Sequence, residues 1–171
     1  MARDVGAFTG FAAAQARPLL RTAWLMTGDW HLAQDLVQDT LARMFETWDG
    51  PSGLDSPEAY AHVVLVRTYI SKRRRRSFFE QPTGIVQERA AVGDQVEVRV
   101  EVRVVLRQAL AGLRPGDRAV LVLRYLLDRS VEQVAYDIDI SPAAVRTRSK
   151  RALDRLRLAL GDRQLLDLAA D

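Results

Sequence analysis

The sequence has 171 residues, of which 48% are apolar and 27% are charged, a composition typical of a folded globular protein. It contains no cysteine, and its two histidines, His31 and His62, share no ligand-like spacing, so neither a disulfide framework nor a thiolate metal site is expected. No apolar run approaches the roughly 20 residues that cross a bilayer, and the N-terminus lacks a secretory pattern, so we expect a cytoplasmic protein without a cofactor.

Positive charge is concentrated in two short segments, although the net charge is only +3. Residues 1–60 hold four arginines against eight acidic residues. Residues 71–79 then carry five cations and no acidic residue, and residues 146–157 carry six cations against one aspartate. Such clusters are typical of nucleic-acid binding, but a solvated surface gives the same pattern. The choice between these two interpretations therefore depends on the secondary-structure elements that carry the two clusters.

Two helices are predicted in the first part of the chain. The first covers Phe8–Met26 and is ended by the Gly28-Asp29 pair, and the second covers about Trp30–Trp48. One stripe of the second helix is apolar and is predicted to be core: Ala33, Leu36, Val37, Thr40, Leu41, Met44 and Trp48. On its other side, Asp35, Gln38 and Asp39 stand at i, i+3 and i+4 and form one acidic face.

A third helix is predicted to begin after the loop at residues 49–55. Ser56 is a favourable N-cap, and Pro57 is favourable as the first helical residue. The side chains predicted to point inward are Ala59, Tyr60, Val63, Val64, Val66 and Ile70. The helix should continue through the cations 72–76, because arginine and lysine are good helix formers. The first basic cluster is therefore expected to extend a folded helix.

Helical periodicity fails between Glu80 and Arg99, where one proline and two glycines predict a linker. We therefore predict an all-α protein of two small helical domains joined by a flexible linker, with the first domain at 1–80, the linker at 81–98 and the second domain at 99–171. The alternating segment 96–105 resembles a strand in isolation. Its apolar stripe continues into the residues that follow, so a helix is predicted there.

The second domain is predicted to contain a helix-turn-helix motif. Residues 114–117 predict a turn, and Arg118–Leu127 and Val131–Ile138 predict two short helices. The Asp139-Ile140 pair then turns the chain, and Ser141-Pro142 caps the last helix. A short helix, a tight turn and a capped second helix form the plan of a motif that binds DNA in the major groove.

The last helix is predicted to present small and cationic side chains together. At about 100° per residue, its inner side takes Val145, Ser149, Ala152, Leu153, Leu156 and Leu160. Its outer side takes Ala143, Thr147, Lys150, Arg151 and Asp154, with Arg146 beside them. Small residues permit close approach to a groove, while arginine, lysine and threonine reach base edges and phosphates. A solvated helix of a bundle is the alternative interpretation of this pattern.

Together these segments resemble the extracytoplasmic-function sigma factors, the minimal bacterial initiation factors. The resemblance rests on AQDLVQDT, SPEAYAHVVLVRTYISKRRRR, LRPGDRAVLVLRYL and VRTRSKRALDRLR, which follow each other in this order over nearly the whole chain. It implies a factor without enzymatic activity of its own. Its first domain is expected to bind core RNA polymerase and open the −10 element, and its second to read the −35 element of promoter DNA. An anti-sigma factor is a further expected partner.

The resemblance implies three sets of contact residues. The polymerase contacts are Asp35, Gln38 and Asp39. The −35 contacts that it implies are Arg146, Thr147, Lys150 and Arg151, and the capping Ser141 and the small Ala143 and Ala144 at the start of the same helix are added to this set. The −10 contacts that it implies are Lys72, Arg73, Arg74, Arg75 and Arg76. Two residues are added to this set: Arg67, which stands where the family often has asparagine, and Tyr69, an aromatic that either stacks on a base or belongs to the core.

Two other classes of function stay open on the residues alone. A helix-turn-helix regulator that binds an operator without polymerase explains the second domain equally well, but it leaves the acidic face and the first basic cluster unexplained. A membrane-surface protein lacks the exposed apolar face and the lipidation motif that the basic run would need. An enzyme is disfavoured, because the sequence contains no glycine-rich phosphate loop and no cysteine or histidine nucleophile arrangement.

Overall fold

The computed structural model describes residues 4–48, 56–79 and 105–168, and within these ranges every element is helical. This confirms the all-α prediction. The chain divides into two compact units, Met1–Thr83 and Gly84–Asp171. The predicted linker, residues 81–98, and most of the alternating segment 96–105 lie outside the described residues, so the predicted domain boundaries stay predictions. None of the helices described here is both long enough and apolar enough to cross a membrane.

The first unit contains three helices, α1 (Val5–Thr27), α2 (Trp30–Glu46) and α3 (Pro57–Phe79), and each packs against the other two. Their ends follow local chemistry. Gly28 ends α1 at φ 72°, in the left-handed region that glycine adopts without a steric cost. The next residue, Asp29, accepts a hydrogen bond from the amide of Leu32 at 2.8 Å and so caps α2.

The predicted stripe of α2 is confirmed as core, with Leu41 alone only half-buried. The prediction for α3 is partly confirmed, through Val63 and Val66, and partly wrong. The residues of α3 that are buried, among those whose side chains are described, are Ala61, Val63, Leu65, Val66, Thr68 and Tyr69. The predicted Ala59, Tyr60, Val64 and Ile70 are only half-buried. The helix is apolar almost all the way round between residues 59 and 70, so its hydrophobic pattern does not determine which side faces α1 and α2.

The second unit contains α4, of which residues 105–111 are described, followed by α5 (Pro115–Leu121), α6 (Val131–Ile138) and α7 (Pro142–Leu168). A π-helical turn, Val122–Leu126, extends α5. The predicted turn at 114–117 is wrong, because Pro115 is the first residue of α5. Proline fits this position well, since its fixed φ suits a helix and its missing N–H is not needed there.

The turn between α6 and α7 is held by short-range hydrogen bonds. Asp139 ends α6 in the left-handed region, at φ 54° and ψ 57°, a conformation that aspartate tolerates better than most residues. The hydroxyl of Ser141 then accepts a hydrogen bond from the amide of Ala144 at 3.1 Å and caps α7. The predicted helix-turn-helix is thereby confirmed. Near its far end α7 is interrupted at Gly161, at φ 69° and ψ 156°.

Candidate partner and nucleic-acid interfaces

The acidic face of α2 lies on the surface of the first unit. Asp35 and Gln38 are exposed, and Asp39 is half-exposed, while Leu36 and Val37 between them are buried. The carboxylate Oδ2 of Asp39 lies 2.6 Å from Nζ of Lys72 on α3. The three predicted polymerase contacts therefore share one surface, and one of them is paired with a predicted DNA contact.

The basic end of α3 is helical, as predicted, through Phe79. Arg67, Arg74 and Arg75 are exposed, and Lys72 and Arg73 are half-buried. The side chain of Arg76 lies outside the described side chains, so nothing follows about its direction. The described cations are distributed around the end of α3, and Lys72 is the one that pairs with the acidic face of α2.

Tyr69 is placed differently from the other predicted −10 contacts. Its side chain is only 2% exposed and belongs to the core between the helices. The guanidinium of Arg73 lies 5.7 Å from the centre of its ring, a cation–π distance. A base could stack on this ring only if the ring left the core, so Tyr69 is not part of the interface proposed below.

The outer face of α7 is largely as the helical wheel predicts. Ser141, Ala143, Arg146, Thr147 and Lys150 are exposed, and Ala144 is half-buried. The opposite side is buried through Val145, Ser149, Ala152, Leu156 and Leu160. Arg146 lies 3.4 Å from the carboxylate of Glu132 on α6, but both side chains are more than 60% exposed, at 62% and 69%. Such an exposed pair is weak and leaves the guanidinium available to another partner.

Arg151 differs from the other predicted −35 contacts because it has a buried partner. Its Nε donates to Oδ2 of Asp117 at 2.9 Å, and its second nitrogen donates to the other carboxylate oxygen. Asp117 is 1% exposed, and this hydrogen bonding raises the pKa of the Arg151 guanidinium above its usual value. The pair joins α7 to the first turn of α5. In this structure Arg151 therefore positions the helix that carries the other contacts, and a base contact by Arg151 stays a prediction.

A second buried carboxylate was also missed by the sequence analysis. Asp137 on α6 is 3% exposed and accepts two hydrogen bonds from Arg129, at 2.9 Å and 3.1 Å. The backbone oxygen of Arg129 in turn accepts a hydrogen bond from Arg124 at 2.8 Å. These contacts hold the loop between the π-helical turn and α6. An aspartate next to the apolar stripe of an amphipathic helix could have indicated a buried ion pair, but the sequence does not identify the partner.

Two family models match the chain, one to each unit. The model of sigma-70 region 2 matches residues 11–79, and the model of sigma-70 region 4 matches residues 103–156. The first range contains the acidic face of α2 and the basic end of α3. The second range contains the helix-turn-helix and the exposed face of α7.

Three curated relatives match this chain over most of their own length. An RNA polymerase sigma-E factor of Streptomyces avermitilis is 33% identical over 162 residues, which cover 95% of this chain and 89% of the relative. A sigma-E factor of Streptomyces antibioticus is 35% identical over 147 residues, covering 86% and 81%. The ECF RNA polymerase sigma factor SigL of Mycobacterium tuberculosis is 31% identical over 152 residues, covering 85% and 84%.

Two solved structures share the fold. The sigma factor RpoE of Bartonella quintana, in complex with the anti-sigma factor NepR, has a TM-score of 0.64 at 20% identity. The match covers 92% of this chain and 99% of the RpoE chain. CnrH, in complex with the cytosolic domain of CnrY, has a TM-score of 0.57 at 22% identity, covering 94% and 88%. The matches in sequence and in fold agree, and the chain belongs to the extracytoplasmic-function sigma factors of the sigma-70 family.

Proposed function

We propose that this chain binds core RNA polymerase in the cytoplasm and directs it to promoters with defined −10 and −35 elements. The proposal is supported by the curated relatives, which carry the name of RNA polymerase sigma factors and match this chain over most of their length. The chain contributes binding and positioning only, and the polymerase performs the chemistry.

In this proposal each exposed charged surface has one partner. The acidic face formed by Asp35, Gln38 and Asp39 binds the polymerase. The cations of α3, which are Arg67 and the run 72–76, hold the phosphates of the −10 element as its strands separate. The outer face of α7, formed by Ser141, Ala143, Ala144, Arg146, Thr147 and Lys150, enters the major groove of the −35 element.

The observation that carries the proposal is that the residues of these surfaces are exposed and do not pack in the hydrophobic core. Asp35 and Gln38 are exposed on the side of α2 opposite Leu36, and Arg146 and Lys150 are exposed on the side of α7 opposite Ala152. Charged side chains that neither pack nor hold buried partners are available for partners of opposite charge.

The test is transcription in vitro with purified core polymerase and this chain on a library of genomic promoter fragments. We expect specific transcripts only when both proteins are present, and weak binding of duplex promoter DNA by the chain alone. Nanomolar operator binding by the chain alone, without any polymerase-dependent transcript, would establish the regulator interpretation instead.

An anti-sigma partner is a second part of the proposal. It is supported by the fold shared with RpoE, whose solved structure contains the anti-sigma factor NepR. Adding a candidate anti-sigma protein to the transcription reaction should abolish the specific transcripts and leave basal synthesis by core polymerase unchanged. A candidate that leaves the transcripts unaffected is not the partner.

A further inference from the structure

An open cleft of about 290 Å³ lies in the second unit between α7, the π-helical turn and the start of α6. Four cations line it: Arg124 from the π-helical turn, and Arg146, Lys150 and Arg157 from α7. Two of these, Arg124 and Arg157, belong to none of the contact sets that the family resemblance implies. The cleft therefore extends the basic surface of α7 beyond its predicted readers.

The charge of the cleft is strongly positive even after its acidic neighbours are included. Asp154 also lines the cleft and accepts a hydrogen bond from Arg157 at 3.3 Å. Glu132, which does not line the cleft, forms an ion pair with Arg146 at 3.4 Å. The side chains of both pairs are more than half exposed, so an incoming anion can replace either carboxylate at little cost. Four cations against these two acids leave a site that favours a negative ligand.

The wall of the cleft holds a hydroxyl group without a partner. Ser149 is 8% exposed and lines the cleft, and its Oγ has no hydrogen-bond partner among the described residues. A buried hydroxyl without a partner is unfavourable, because it has lost its bonds to water. The Oγ itself is buried, and rotation about χ1 to another staggered position would turn it toward the cleft, where a ligand oxygen would accept this hydrogen bond. The cations and the hydroxyl thus favour the same chemistry, an anionic oxygen acceptor such as a phosphate.

Arg124 is held in place on the far side of the cleft from α7. One of its terminal nitrogens donates to the backbone oxygen of Arg129 at 2.8 Å, and its guanidinium lies 5.5 Å from the centre of the Tyr125 ring. A guanidinium fixed in this way loses less entropy when it binds a phosphate than a mobile one does.

If α7 binds DNA as proposed above, the spacing of its arginines indicates which phosphate group the cleft would bind. Arg157 follows Arg146 by 11 residues, which corresponds to about 16 Å of helix. The major groove is about 12 Å wide, and the N-terminal residues of a recognition helix contact its bases. When Arg146 lies at base edges, Arg157 therefore lies at the flanking backbone. We propose that this cleft is a phosphate-binding site that receives a backbone phosphate of the −35 DNA, held by Arg124, Arg157 and Ser149.

The proposal rests on the proposed function, and its test uses the polymerase holoenzyme on a promoter duplex in which single phosphates are replaced by neutral methylphosphonates. With the wild-type chain, neutralising the phosphate in the cleft should weaken binding by about threefold or more at ~50 mM salt. With Arg157→Ala that loss should disappear, and the slope of log affinity against log salt should fall by about 0.9. The matched control is Arg155→Ala, which removes an exposed arginine of the same helix outside the cleft and should keep the wild-type pattern.

Ser149→Ala separates binding from folding. Because the hydroxyl has no partner in the described part of the protein, its removal should not lower the thermal unfolding temperature, yet it should weaken promoter binding at the same phosphate position. Equal methylphosphonate profiles for wild type, Arg157→Ala and Ser149→Ala would overturn the proposal.

A second arm titrates the isolated full-length chain with inorganic phosphate and follows the amide resonances of α7. Saturable shifts that disappear in Arg157→Ala and Ser149→Ala, combined with unaltered promoter profiles, would assign the cleft to a free phosphate compound and overturn the DNA assignment. Should the holoenzyme fail to bind promoters at all, the proposed function fails, and this arm still decides whether the cleft binds phosphate.

Discussion

Asp39 on α2 and Lys72 on α3 form an ion pair, with 2.6 Å between Oδ2 and Nζ, that joins the acidic face to the basic end of the neighbouring helix. Each residue belongs to a different proposed interface. While they are paired, the carboxylate is less available to the polymerase and the ammonium group is less available to DNA. If both proposed interfaces exist, engagement of one partner should release a charge for the other.

Asp39→Asn should increase binding of single-stranded DNA by the isolated chain, because it frees Lys72. An exposed pair is worth about 0.2–1 kcal/mol, so the expected gain is about 1.4- to fivefold at low salt, measured by fluorescence anisotropy. Asp35→Asn removes the same charge one turn earlier, from a residue without an ion pair among the described residues, and should give a smaller gain. An equal gain in both variants, or a full gain in Asp39→Asn combined with Lys72→Met, would show that only net charge matters.

The acidic face should be separable from folding. Asp35→Ala combined with Gln38→Ala changes only exposed side chains, so the free energy of unfolding should change by less than about 0.5 kcal/mol per substitution. Affinity for core polymerase should fall by roughly tenfold or more, which corresponds to about 1.4 kcal/mol. Calorimetric titration of core polymerase measures this. Unchanged affinity in a folded double variant would remove the acidic face from the polymerase interface.

The two basic surfaces should affect promoter choice in different ways. Arg74→Ala with Arg75→Ala removes phosphate contacts and should lower transcription from all promoters by a similar factor, with a flatter salt dependence. Arg146→Ala removes a base contact worth about 1–3 kcal/mol of discrimination, so it should change which −35 sequences are used. Sequencing the transcripts of a promoter library with each variant measures both effects. The opposite assignment of the two roles would follow if Arg146→Ala scaled all promoters equally and the double variant reordered them.

Asp117 and Arg151 should contribute unequally to the stability of the second unit. Arg151→Ala leaves the carboxylate of Asp117 buried without its partner, whereas Asp117→Ala leaves a guanidinium that is 40% exposed and can be hydrated. Urea denaturation should therefore give a lower midpoint for Arg151→Ala than for Asp117→Ala, and the double variant should recover part of the loss. A similar midpoint for all three variants would mean that the pair does not position α7.

The sequence by itself determined the helix-turn-helix and most of the helix ends, with the start of α5 at Pro115 as an exception, because these depend on neighbours a few residues apart. The capping of α7 by Ser141 and the left-handed Asp139 are set by backbone and side-chain atoms within four residues. The exposed face of α7 follows from the 3.6-residue period in the same way. The family could be identified from these local segments in their order.

Only the tertiary structure decided which charged residues are free and which are paired. Asp117 and Arg151 are 34 residues apart, and Asp39 and Lys72 lie on different helices, so no local pattern relates them. The same holds for Tyr69, whose burial depends on how the nearly all-apolar α3 is rotated against α1 and α2. The cleft proposed to bind a phosphate likewise depends on the tertiary structure, because Arg124 of the π-helical turn and Ser149 and Arg157 of α7 line it together. A contact between distant residues depends on how whole helices pack, and the propensities of the residues involved do not encode it.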